Sequence, residues 1–81
     1  MGPKERAWRE AMGRRLREAR LEARLRQGEV AERAGVGQTH ISRIEKGDAA
    51  KLGVVERVAG VLGVEVVKME REQEREGGGG G

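Results

Sequence analysis

Residues 31–47 read "AERAGVGQTHISRIEKG". A helical pattern with Ala31 and Ala34 stops at Gly35, and a second one starts after the three-residue break "GVG". The new segment carries Gln38, Thr39, His40, Ser42, Arg43 and Lys46 almost without a gap, interrupted by Ile41 and Ile44. On a helical wheel with Gln38 at the origin, Ser42 falls at about 40°, Lys46 at about 80°, Thr39 at about 100° and Arg43 at about 140°. Ile44 and Ile41 fall on the opposite side, at about 240° and 300°. Two isoleucines therefore anchor the helix, and amides, hydroxyls and a guanidinium face outward. These side chains suit base edges: Gln matches adenine, Arg matches guanine, and hydroxyls match either. His40, at about 200°, sits at the margin, where a phosphate or nothing would meet it. Any exposed helix face is polar, so this face alone decides little; its neighbours have to carry the rest.

Those neighbours are helical. Residues 4–23, "KERAWREAMGRRLREARLEA", repeat apolar residues at Trp8, Ala11/Met12, Leu16, Ala19 and Ala23, close to a helical period, with Gly13 as a weak point. Whether residues 4–12 belong to that helix or form a loose arm is open at this level. Residues 27–34 form a short second helix with Val30, Ala31 and Ala34 inward, ended by Gly35. Residues 51–62 form a fourth, with Leu52, Val55, Val58, Ala59 and Leu62 on one face and Gly63 at its end. Two helices joined by a tight glycine-containing turn make the arrangement whose second helix enters the DNA major groove.

The bulk numbers agree with a small binding domain. The chain has 81 residues, 36% hydrophobic and 38% charged, with Trp8 as its one aromatic residue. Its core is thin, and a dimer would relieve that. Residues 1–48 hold twelve Lys and Arg against eight Asp and Glu; residues 49–81 hold five against six. A basic half raises the odds of a polyanionic partner, although on charge alone a solvated, salt-bridged helix surface is the commoner reading. With no cysteine, neither a disulfide framework nor a thiolate zinc site is available. A lone histidine gives no metal-ligand spacing, and no nucleophile–base constellation is present, so an enzyme is not expected and no cofactor or metal is implied. No apolar run approaches a membrane span. The interspersed glutamates and narrow apolar face of residues 4–26 argue against a membrane-active helix. A cytoplasmic protein is the default.

At this point "LREARLEARLRQGEVAERAGVGQTHISRIEKG" followed by "LGVVERVAGVLGV" resembles the bacterial helix-turn-helix family of phage lambda-type repressors, also called the xenobiotic-response-element family. The resemblance covers residues 14–64. It rests on Arg20, Gln27, Glu29-Val30-Ala31, Gly35-Val36, Ile41-Ser42, Ile44-Glu45 and Gly47, then Leu52, Ala59 and Leu62-Gly63. It implies an all-α, lambda-repressor-like domain of four to five helices. Base contacts would come from Gln38, Thr39 and Arg43, with Ser42 beside them on the same face. Gln27, opening the second helix, would hold a phosphate. A buried pair would join Arg20 to Glu45, since two charges in a small core persist only when paired. The implied partner is double-stranded DNA with a palindromic operator, read by a homodimer at the bacterial nucleoid.

The sequence departs from the family at three places. Arg26 replaces the usual Ser or Thr before Gln27, removing that helix cap. Arg24 stands where a glycine is usual, and Gly37 is a weak cap for the recognition helix. Arg24 and Arg26 add positive charge in compensation; Arg26, His40 and Lys46 join Gln27 as the expected phosphate contacts. The ending "LGVEVVKMERE" resembles the strand with which antitoxin-type repressors pair two subunits. That reading makes residues 64–72 a short β-strand pairing across a dimer, with Val64 and Val66 on one face and Val67 and Met69 on the other. A fifth helix is the alternative, because "KMEREQERE" is rich in helix formers. The expected organisation is an arm or helix extension over 1–13, the DNA-binding domain over 14–63, the dimerising strand over 64–72 and a flexible acidic, glycine-rich tail over 73–81. The competing function is an antitoxin or protein-interaction module, acting mainly by holding a toxin or other partner protein.

Overall fold

The computed structural model describes residues 2–66, and four helices account for most of them. These are α1 (Pro3–Glu22), α2 (Gln27–Ala34), α3 (Gln38–Lys46) and α4 (Leu52–Leu62). Among the described residues there is no strand, so the fold is all-helical. Residues 64–66 are neither helix nor strand, and the remainder of the expected dimerising strand, with Val67 and Met69, lies outside the described residues. The glycine-rich tail does too.

Pro3 opens α1 at its first turn, where a missing N–H costs nothing. The helix then runs unbroken through residues 4–12 and past Gly13. It packs across α3 and α4, while α2 lies against both α3 and α4. The shared core holds Met12 and Leu16 from α1, Val30, Ala31 and Ala34 from α2, Ile41 and Ile44 from α3, and Val55, Val58 and Ala59 from α4. Leu16, Ile41, Val30 and Val58 are the largest fully buried side chains. Each contributes roughly 1.5–3 kcal/mol of transfer free energy relative to exposure. Trp8, Leu25, Val36, Val64 and Val66 lean against the edges of this core.

Two expected core positions are corrected. Ala11 and Ala23 are exposed, and Ala19, Leu52 and Leu62 are only half-buried. The buried stripe of α1 is narrower than the alanine pattern suggests, because a small apolar side chain satisfies the period without needing burial. Gly13 is the opposite case. A β-carbon there would collide with the Ile44 carbonyl oxygen and lie 3.0 Å from that of Glu45. The apparent weak point of α1 is the place where its backbone meets the last turn of α3.

All four helices end alike. A residue with positive φ follows each: Arg24 (φ 60), Gly35 (φ 72), Gly47 (φ 83) and Gly63 (φ 69). The next residue then donates its N–H back across the end: Leu25 to the Arg20 carbonyl, Val36 to Ala31, Asp48 to Arg43 and Val64 to Ala59, at 2.9–3.0 Å. Each closure satisfies a terminal carbonyl that would otherwise lack a partner. Three of the four use glycine. Arg24 adopts the same conformation with a β-carbon, at a steric cost.

Candidate nucleic-acid interface

Helix α2 stops at Gly35, and α3 starts after Val36 and Gly37. Burial of Val30, Ala31 and Ala34 on one side and of Ile41 and Ile44 on the other fixes the pair against the core. That orientation decides what α3 shows to solvent. Gln38, Thr39, His40, Arg43 and Lys46 are exposed and Ser42 is half-buried, as the wheel implies. A β-carbon at Gly37 would lie 3.8 Å from the His40 ring, so His40 sits over the start of the helix, away from the central arc.

Behind α3 lies a buried ionic network. Arg20 donates from Nε to Glu45 Oε2 at 2.6 Å and from Nη2 to Glu45 Oε1 at 3.0 Å. Its Nη1 donates to the Leu25 carbonyl at 2.9 Å. The two side chains are 10% and 6% exposed, so the pair is nearly dry. The Glu45 hydrogen bond, opposed by desolvation, raises the Arg20 pKa above its ordinary value. The guanidinium is permanently charged. The network ties the end of α1, the loop before α2 and the last turn of α3 into one unit.

Gln27 belongs to that network. Its Nε2 donates to Glu45 Oε1 at 3.1 Å, which leaves its second amide N–H, its carbonyl oxygen and its backbone N–H for other partners. The second N–H of that amide remains available to an anion. The backbone suits one too. Arg26 makes no side-chain cap, while Glu29 accepts the Arg26 N–H at 2.7 Å. Among the described residues no acceptor meets the N–H groups of Gln27 and Gly28 at the first turn. Such N–H groups, at the positive end of the helix dipole, favour an anion. An open cleft runs alongside, lined by Arg20, Arg26, Gln27, Gly28 and Gln38 and by the acidic Glu29 and Glu32. A β-carbon at Gly28 would be in ordinary contact with the Gln38 side chain, 3.5 Å from its Oε1.

The structure thus gathers Arg26, Gln27 and Gln38 along one cleft, while Thr39, Arg43 and Lys46 are exposed on α3 and Ser42 is half-buried there. Sequence reasoning overlooked Gly28 and Arg9. The Arg9 side chain, 11% exposed, donates from Nε to the Gly47 carbonyl at 3.4 Å and lies 3.6 Å from Glu5. Nothing in the local pattern around Arg9 points to a partner 38 positions away. Among the described residues no group of His, Cys, Asp or Glu is placed to hold a metal ion.

Comparison with known proteins gives the same picture. No curated protein matches the chain. A family model described as a helix-turn-helix domain matches residues 11–71. That span takes in the second half of α1, the α2–turn–α3 pair and all of α4. It is also what the resemblance to lambda-type repressors leads one to expect. On this match, covering most of its length, the chain belongs to the helix-turn-helix domain family.

Proposed function

We propose that the chain is a sequence-specific DNA-binding regulator, a repressor, whose helix α3 enters the major groove. The observation that carries this reading is the geometry of α3. Ile41 and Ile44 are buried, Glu45 is locked to Arg20, and Gln38, Thr39 and Arg43 stand outward on a helix held on two sides. Gln38, Thr39, Ser42 and Arg43 read bases. Gln27 and the first turn of α2, with Arg26 beside them and His40 and Lys46 flanking α3, hold the phosphate backbone. The fold reads one half-site, so a palindromic operator calls for a homodimer, with half-sites about 34–36 Å apart. Residues 64–72 are the proposed pairing segment, supported by Val64 and Val66 leaning on the core.

Selection from a random duplex library tests this directly. An enriched palindromic sequence, bound with an affinity that falls steeply with salt, supports it. Weak, salt-dependent binding without any enriched sequence would leave only a basic surface. Absence of binding together with stable capture of a co-encoded toxin would favour the antitoxin reading instead.

A further inference from the structure

The family match begins at residue 11, yet α1 begins at Pro3, so two turns of helix precede the matched region. Those turns are not idle. Trp8 leans on the core beside Met12, Asp48, Ala50 and Val55. Glu10 fits against the backbone of Gly47 so closely that a β-carbon at Gly47 would lie 3.1 Å from the Glu10 Cα. Arg9 places its guanidinium at the Gly47 carbonyl, just beyond the last residue of α3, and Glu5 lies one turn back against Arg9. A cation at this end of a helix is favourable, because the terminal carbonyls carry the negative end of the helix dipole. All three contacts converge on the junction that ends α3.

We propose that residues 3–10 form a positioning strap for the recognition helix, with Arg9 as its positioning residue. The strap fixes the C-terminal turn of α3 and with it the side chains of Arg43 and Lys46. The part concerning operator discrimination rests on the DNA-binding reading above; the part concerning α3 does not. Arg9 itself touches no base in this scheme, because its guanidinium is turned to Gly47 and Glu5.

The test compares the full chain with Arg9→Ala and with Arg15→Ala, which removes an exposed arginine from the same helix. Amide hydrogen exchange is followed at Gly47 and Asp48, whose N–H groups donate to Ile44 and Arg43. The expected result is exchange about tenfold faster at these two amides in Arg9→Ala, with Val30 and Val58 unchanged, since a local opening need not involve the whole domain. Arg15→Ala should match the parent. The ratio of affinities for selected and random duplexes should fall several-fold in Arg9→Ala alone. Unchanged exchange at Gly47 and Asp48, or equal acceleration throughout the chain, overturns the strap. Locally faster exchange with an unchanged affinity ratio overturns the positioning role. If the parent shows no sequence preference, the DNA-binding reading fails on its own, and the exchange data still decide whether the strap holds α3.

Discussion

Arg20 is engaged on three nitrogens, by both oxygens of Glu45 and by the Leu25 carbonyl. Removing one partner of such a pair leaves the other charge buried and alone. Arg20→Ala should therefore cost about 3–5 kcal/mol of stability. The double change Arg20→Met, Glu45→Leu should recover much of that loss, and thermal melts of the three proteins check both statements. A melting temperature unmoved by Arg20→Ala would mean that the pair contributes nothing. Because the Arg20 pKa is raised, the stability it supplies is complete below its unfolded-state value. It is lost only as pH climbs through the higher folded-state value, so mild alkali leaves this contribution intact. Arg24 offers a gain. Among the described residues it is the one non-glycine residue with positive φ. Arg24→Gly should stabilise the chain by about 0.5–1 kcal/mol, the relief of left-handed strain exceeding the extra freedom of glycine in the unfolded state. A denaturant midpoint that stays put or falls would show that the side chain repays its strain.

Of the four glycines inside the described helices, Gly13, Gly53 and Gly60 should respond to substitution with opposite signs. Gly13 of α1 is pressed against the backbone of α3, which cannot swing aside as a side chain can. Gly13→Ala should gain helix propensity yet lose about 1–3 kcal/mol net through overpacking. Gly53 and Gly60 of α4 have nothing within 4 Å of a new β-carbon, and each change to Ala should add about 0.5–1 kcal/mol. Urea unfolding of the three variants separates the two cases. The same contrast shows what a sequence discloses about such a domain. The inward faces of α2 and α3 were legible because Val30, Ala31, Ala34, Ile41 and Ile44 follow one helical period closely, and burial is what the period encodes. The Arg20–Glu45 pair was legible only through family resemblance. Gly13 looked like a defect, since its justification is a carbonyl on another helix. The Gln27–Glu45 hydrogen bond was not legible, since Glu45 reaches Gln27 only once α1, α2 and α3 are assembled. Local pattern carries the elements; contacts across the chain appear only after packing.

For the molecule as a whole, the proposed reading separates affinity from discrimination. Arg43→Ala should cost about 1–3 kcal/mol at one base pair of a selected operator and little on random duplexes. Equal losses on both would remove Arg43 from the base-reading set. The assembly test needs care about where the chain is cut. Ending it at Gly63 would also delete the Val64 N–H that closes α4 and two valines resting on the core. Ending it at Val66 spares those contacts. That version should keep its helical fold, sediment as a monomer and bind an operator far more weakly than the full chain. A dimer surviving the cut would move the interface away from the C-terminal segment. The packing of Trp8 makes all of this easier to follow. The chain has one tryptophan and neither tyrosine nor phenylalanine, and that single indole lies half-buried where α1 meets the loop after α3. Its ultraviolet emission therefore has one source, with no energy transfer from other rings. The domain carries a native fluorophore at the seam between its first and third helices, and every melt described above can be read from that one site without a label.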